Sequence, residues 1–207
     1  KIAEGSSKTH KLKGKVLKIG NIIFSNVSRS SHKKKFFLYA VTMKDFINYQ
    51  FYGVEMYYEF YENLKNLDKI AAENKIKFLV KPHPSISYLT EDLKKLFKNL
   101  DFSNKRIDEL LKSTIATISF SSTVIEDSIC SKIPVILYDQ WKRYKHCDSC
   151  SNVNKTNKLI YYVNTSKELL KVIRSISKSK SFNYSKYIFS KIDPSKNIDK
   201  LIYRFSM

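Results

Sequence analysis

"FLVKPHPSISYL", residues 78–89, runs from a short apolar segment straight into a polar step bracketed by two prolines. Phe78-Leu79-Val80 closes a predicted strand over 76–80, and the strand stops at Lys81-Pro82-His83-Pro84-Ser85. A strand that ends in a cation, an imidazole and a hydroxyl places chemistry at its carboxyl tip. Each proline has a fixed φ, so the chain is stiff on both sides of His83 and its ring is aimed. A rigid imidazole, cationic or hydrogen-bonding, stabilises charge on a leaving phosphate. Lys81 adds a point charge. A histidine after a strand is also an ordinary loop residue, and the prolines are what favour a role.

Working outward, strands alternate with helices. "KKFFLYAVTM" (34–43) is aromatic and β-branched, and reads as a strand. "VEMYYEFYENLKNLDKIAAENK" (54–75) reads as a helix, with Tyr57, Phe60, Leu64, Leu67, Ile70 and Ala71 mostly at three- and four-residue steps. After the strand at 76–80, Thr90 is a candidate N-cap for a helix within 89–100. A short amphipathic helix (106–113), a strand (114–120), a helix (122–132) and a strand (134–139) follow. An irregular stretch with Trp141 and two cysteines leads to a strand (159–163) and helices at 166–179 and 197–205. This alternation predicts a doubly wound, Rossmann-like α/β domain: a parallel sheet with helices on both faces. It occupies residues 34–207 and is read as a nucleotide-donor-binding domain. Residues 1–33 are polar and basic, with one weak apolar run from Val16 to Phe24. They read as a basic segment or linker from an upstream domain. The chain does not begin with Met, so it is expected to be part of a longer protein.

At 207 residues the chain suits one domain. No stretch approaches the ~20 apolar residues that span a bilayer, and no signal peptide is evident. The 38 Lys and Arg against 19 Asp and Glu give a formal charge of +19. That charge attracts anions: a phosphorylated ligand, nucleic acid or an acidic membrane face. Lys far outnumbers Arg, and Asn, Ile and Ser are abundant too, a pattern that a biased genome also produces. The Lys dominance argues against nucleic acid as a partner. Three cysteines make no paired framework, so a reducing compartment is the default. Cys147-Asp148-Ser149-Cys150 is a C-x-x-C without the second ligand pair a zinc site needs, and reads as plain loop.

In an open α/β sheet, ligands bind at the carboxyl ends of the strands. Three predicted strands end in polar residues: at Thr42, at Lys81 to Ser85, and at Ser121-Ser122-Thr123. The last step lies between a strand and a helix, where free N–H groups and adjacent hydroxyls make a phosphate site. With only four glycines and no G-x-G-x-x-G, any phosphate must be held by hydroxyls and a helix end. Ser and Thr are also common N-caps, so the step alone leaves both readings open. Glu126-Asp127 lie one turn further, and one of them is in place for ribose hydroxyls, or simply complements the helix dipole.

The order "KKFFLYAVTM", "KFLVKPHPS", "RIDELLKSTIATISFSSTVIEDSICSKIPVILYD" resembles the C-terminal, donor-binding half of GT-B transferases over about residues 34–140. It is similar to the CDP-glycerol glycerophosphotransferase and capsule-polysaccharide group at Tyr39–Thr42, Lys81–Pro84, Ser121–Ser122, Glu126–Asp127 and Lys132–Val135. The His-Pro and Ser-Ser steps also resemble bacterial sialyltransferases and Kdo transferases, which use CMP-sugars. The resemblance implies a transferase acting on a cytidine-activated donor, CMP-sialic acid or CDP-glycerol or -ribitol, and a glycan or lipid-linked acceptor. It implies His83 as the catalytic residue, Ser121, Ser122, Thr123, Lys81 and Thr42 at the donor phosphate, and Glu126 at the ribose. Where the glycerophosphotransferases carry Asp-Tyr-Ser-Ser, this chain reads Ser119-Phe120-Ser121-Ser122, which points toward a CMP-sugar. No cofactor and no metal are expected, since imidazole, hydroxyls and a helix end neutralise the leaving group. The expected setting is cytoplasmic, peripheral to an acidic inner membrane face. A UDP-sugar transferase and a non-catalytic binding module are the alternatives.

Overall fold

Phe36–Ala40 forms β1, buried at all five positions. Phe37 and Tyr39 point to one face, where they meet Phe60, Leu64 and Leu67 of α1 (Tyr57–Asn74). Phe36 and Leu38 point to the other, onto Leu110 and Leu111 of α3 (Ile107–Leu111). A strand apolar on successive residues needs a helix on each face. The same division recurs along β5 (Val135–Tyr138). Val135 and Leu137 pack with Ile125 and Ile129 of α4 (Val124–Cys130), while Ile136 and Tyr138 join the core under α1. That core also takes Leu169, Val172, Ile173 and Ile176 of α5 (Ser166–Lys178), spaced for one helical face. This computed structural model describes residues 34–43, 55–179, 181–182, 184, 187 and 202–203.

With β2 (Phe78–Lys81), β3 (Asp101–Phe102), β4 (Thr114–Ser119) and β6 (Ile160–Val163), the strands form one six-stranded sheet in the order β3-β2-β1-β4-β5-β6. Every neighbouring pair is parallel. The doubly wound Rossmann-like architecture expected from the alternation is therefore the one observed. The order reverses between β1 and β4, which makes their carboxyl ends the topological switch point. Ser119 Oγ donates to the Ala40 carbonyl at 2.9 Å and ties the two strands there. On its α4 side β4 carries small polar residues. Thr117 Oγ1 lies 2.7 Å from Ser128 Oγ, so hydroxyl pairing replaces apolar packing where α4 crosses β4.

Two local expectations change. The helix expected within 89–100 is shorter: a 3-10 helix, Pro84–Leu89, leads into α2, Thr90–Leu96. Thr90 is therefore inside the turn and not its cap, with Oγ1 donating to the Ser87 carbonyl at 2.6 Å. The two-residue strand β3 pairs Leu79 with Asp101 and Val80 with Phe102, and no periodicity marks it in the sequence. The segment 1–33, and all but residues 202–203 of the helix expected over 197–205, lie outside the described residues.

The carboxyl end of β1 is fastened by a buried acid. Glu55 is 1% exposed. Its carboxylate accepts from the Tyr39 hydroxyl, from the Thr42 N–H (2.8 Å) and hydroxyl (2.9 Å), and from the Asn63 amide (2.9 Å). Burial raises the Glu55 carboxyl above its ordinary range, and these donors oppose the rise. Glu55→Leu strands several buried donors at once, each worth roughly 1–3 kcal/mol. The expected loss in unfolding free energy is about 3–5 kcal/mol by urea denaturation. A loss below about 1 kcal/mol would show that the network does not hold the end of β1.

Candidate functional site

Four strands, β1, β2, β4 and β5, bring the candidate residues to the carboxyl edge of the sheet. At β1, Thr42 is buried, and both its N–H and its hydroxyl are directed to Glu55. It therefore shapes the strand end, and its hydroxyl is engaged away from the open edge.

At β2, the Lys-Pro-His-Pro-Ser step is a structural cap as well as a functional candidate. His83 is the N-cap of the 3-10 helix, with Pro84 at its first position. The Ser85 backbone N–H donates to His83 Nδ1 at 3.2 Å, and Ser85 Oγ lies 2.8 Å from the same nitrogen. A backbone N–H can only donate, so Nδ1 must accept, and Nε2 carries the proton of the neutral ring. His83 thus acts as a hydrogen-bond donor through Nε2, and full protonation would break its cap. Lys81 is half-buried, and burial pushes its ammonium below the ordinary value.

At β4, the chain leaves the sheet through Phe120-Ser121-Ser122-Thr123 into α4, a helix of seven residues. Ser122 Oγ accepts from the Val124 N–H at 3.2 Å, a serine turn one residue ahead of the N-cap position, Thr123. Thr123 is exposed and makes no side-chain cap. Ser121 turns to a residue outside the expected set: its Oγ lies 2.9 Å from His146 Nδ1, and His146 Nε2 lies 3.0 Å from Glu126 Oε1. The other carboxylate oxygen of Glu126 is buried without a hydrogen-bond partner among the described residues.

The loop after β5 brings His146 there. Asp139, 1% exposed, accepts from the Trp141 N–H (3.2 Å), the Tyr144 N–H (2.8 Å) and the Tyr162 hydroxyl (3.0 Å). Arg143 then reaches Glu59 of α1 with two hydrogen bonds, Nε to Oε1 at 2.8 Å and Nη2 to Oε2 at 2.6 Å. Its guanidinium lies 4.8 Å from the centre of the Phe120 ring. Tyr144 sits between the Phe120 and His146 rings, 5.9 and 6.1 Å from them. Sequence reasoning treated 140–150 as irregular. The signal that was there is the density of polar residues in "DQWKRYKHCDSC" (139–150) directly after a strand. The cysteines in it form no disulfide, and burial pushes the Cys147 thiol up to about 12, which leaves it un-ionised.

The expected residues therefore separate into groups. His83 and Lys81 stand at β2, on one side of the switch point. Ser121, Ser122, Thr123 and Glu126 stand at β4, on the other, joined by His146. Thr42 lies between them but faces Glu55. Two clefts, of about 640 and 660 Å³, open at the opposite, amino-terminal edge, against Lys171, Arg174 and Lys178 and against Lys34, Lys132 and Tyr184. They touch none of these residues. The carboxyl edge is the better candidate, because ligands of an open α/β sheet bind outside the carboxyl ends of its strands, at the switch point.

The sequence matches no described family and no curated protein. Its fold does match solved structures. A UDP-GlcNAc 2-epimerase from Methanocaldococcus jannaschii, in complex with UDP-GlcNAc and UDP, matches with a TM-score of 0.61 at 12% identity, over 99% of this chain and 58% of that one. Another structure of the epimerase from that organism gives 0.54 at 14% identity, over 87% and 48%. The wall teichoic acid polymerase TagF gives 0.46 at 19% identity, over 88% and 46%. The chain spans about half the length of the structures it matches. The fold it shares with the epimerase is one Rossmann-like half of a GT-B architecture.

The acid beside Glu126 offers a test of this local electrostatics. The Asp127 carboxyl is pushed up from an ordinary 3.8 to about 6, first by burial and then by the charges of Glu126 and Asp108. A carboxyl raised in the folded state stabilises it below the ordinary value and loses that contribution as pH rises through about 6. At pH 7 the charged Asp127 therefore costs stability, about 1 kcal/mol after allowance for its partial exposure. Asp127→Asn is expected to raise the urea midpoint at pH 7, with the gain shrinking toward zero by pH 4. A gain that does not depend on pH would contradict this.

Proposed function

We propose that this chain is the donor-binding half of a transferase that builds a surface glycan or a teichoic-acid-like polymer. It would move a sugar or polyol phosphate from a cytidine-activated donor to a glycan hydroxyl. The observation that carries the reading is the strand order. It sets the tips of β2 and β4 on either side of β1, two strand spacings or roughly 10 Å apart, a span that a nucleotide's phosphates and sugar fill. His83 then meets the leaving phosphate through Nε2–H, as a neutral donor to developing negative charge. Ser121, Ser122 and Thr123 receive the phosphate oxygens, with Lys81 as a nearby cation, and Glu126 lies on the ribose side. Thr42 contributes by fixing the end of β1 between them.

A UDP-sugar donor is the second reading. It is favoured by the epimerase that shares the fold and contains UDP-GlcNAc and UDP. The +19 charge would favour an acidic membrane face, where lipid-linked acceptors lie. Among the described residues, no helix is long and apolar enough to cross a membrane.

The test is thermal stability of the protein with CMP, CDP, UMP, UDP, GDP and ADP, followed by titration of each nucleotide that shifts it. A selective shift with cytidine nucleotides supports the first reading, and one with uridine nucleotides the second. Ser122→Ala is expected to weaken binding of the best nucleotide by about 1–3 kcal/mol. His83→Ala is expected to abolish transfer with the fold retained, the lost cap on the 3-10 helix costing about 1 kcal/mol of stability. Unchanged affinity in Ser122→Ala would leave that serine as a turn residue alone, and wild-type transfer in His83→Ala would remove the catalytic role.

A further inference from the structure

His146 stands between a hydroxyl and a carboxylate, and the bonds it makes determine what that hydroxyl offers to the open edge. Glu126 Oε1, 3.0 Å from Nε2, accepts. The neutral ring must therefore carry its proton on Nε2, because a bare Nε2 would set two acceptors against each other. Nδ1 is then an acceptor, and Ser121, 2.9 Å away, turns its O–H inward to it. Only lone pairs of Ser121 face the edge in that state, and they repel a phosphate oxygen. When the ring gains a proton, Nδ1–H donates to Ser121 Oγ instead. The serine O–H is released and can donate outward.

We infer that His146 is the positioning residue of the oxyanion site at β4, taking one proton from solvent as the anion binds and thereby turning Ser121 from an acceptor into a donor. The inference rests on reading this edge as a phosphate site, and adds a residue and a proton to it. The stray oxygen of Glu126, buried and without a partner among the described residues, fits the same account. The Glu126 side chain is 33% exposed, but a carboxylate with one oxygen out of water and unbonded is better matched by a cation at the other. The other ionisable groups beside His146 are Asp127 on α4, Tyr144, whose ring meets the imidazole, and Arg143, Lys145, Cys147 and Asp148 in the same loop. Arg143 is held by Glu59, and Cys147 stays un-ionised, so neither takes over the role. Asp127, whose carboxyl is pushed up to about 6, is the group in this set whose titration must be removed from the measurement.

The experiment follows the His146 ring signal by NMR against pH in an Asp127→Asn background. The signal is identified by its loss in His146→Gln. Sulfate is the first probe, because it does not titrate near neutrality, with sodium chloride of equal ionic strength as the control. Saturating sulfate is expected to raise the His146 midpoint by about one pH unit, equivalent by linkage to roughly tenfold tighter sulfate binding to the protonated form. Ser121→Ala is expected to abolish the rise while the fold, judged by amide spectra, is kept. Glu126→Gln serves as a second variant and is expected to reduce it. The nucleotide chosen by the stability screen is the other arm. A sulfate response with no nucleotide binding would sustain the proton-coupled site and overturn the transferase reading. Nucleotide binding with an unmoved His146 midpoint would do the reverse. A rise that persists in Ser121→Ala would overturn the inference, since the anion would then act on His146 without the serine.

Discussion

The double hydrogen bond between Arg143 and Glu59 crosses the switch point of the sheet. Glu59 belongs to α1, in the first half of the winding, and Arg143 to the loop after β5, in the second. Glu59 is only 2% exposed, so its charge would be costly without the guanidinium. The same residue is the third of α1 and accepts from the Met56 N–H at 2.8 Å, closing the start of the helix. One carboxylate thus satisfies a helix end and anchors a loop. Gln140 adds to the seam through Asn63 and Asn66, again on α1. Because Arg143 also lies against Phe120, the exit of β4 is held in the same assembly, and His146 follows three residues later.

The consequence is a division of labour at the carboxyl edge. Residues that look functional by type are largely occupied in building the edge. Thr42 serves Glu55, Ser122 closes a turn with the Val124 N–H, and His83 caps the 3-10 helix. Capping does not exhaust them. An imidazole whose Nδ1 accepts a backbone N–H still presents Nε2–H, and a serine that accepts still has its own proton to give. Preorganised donors of this kind are what stabilise charge at a reaction centre, because their orientation is set before the ligand arrives.

Most of the architecture was legible in the sequence. Among the described residues, the strands β1, β2, β4, β5 and β6 and the helices α1 to α5 were readable within a few residues, because apolar runs and three- to four-residue spacing are local properties. β3 was not, since two residues carry no period and only their pairing with β2 defines them. In the candidate site, His83 and the Ser-Ser-Thr step stood out by type and by position after a strand. His146, Glu55 and the Arg143–Glu59 pair did not. Each works through a partner 13 to 84 residues away, at Thr42, Ser121 or Glu59, and local patterns contain no record of such distances.

By itself, then, the chain of residues determined which segments would be strands and helices, that the sheet would be parallel and covered on both faces, and that polar chemistry would gather at strand ends. These follow from apolar periodicity and from the need to pair buried backbone. The tertiary structure alone decided the strand order, and with it which ends flank the crevice. It also decided which polar residues became scaffolding and which histidine reaches the serine at β4. Those choices depend on closing long loops around buried charges. Their outcome is set by desolvation and by the geometry of partners far apart in sequence.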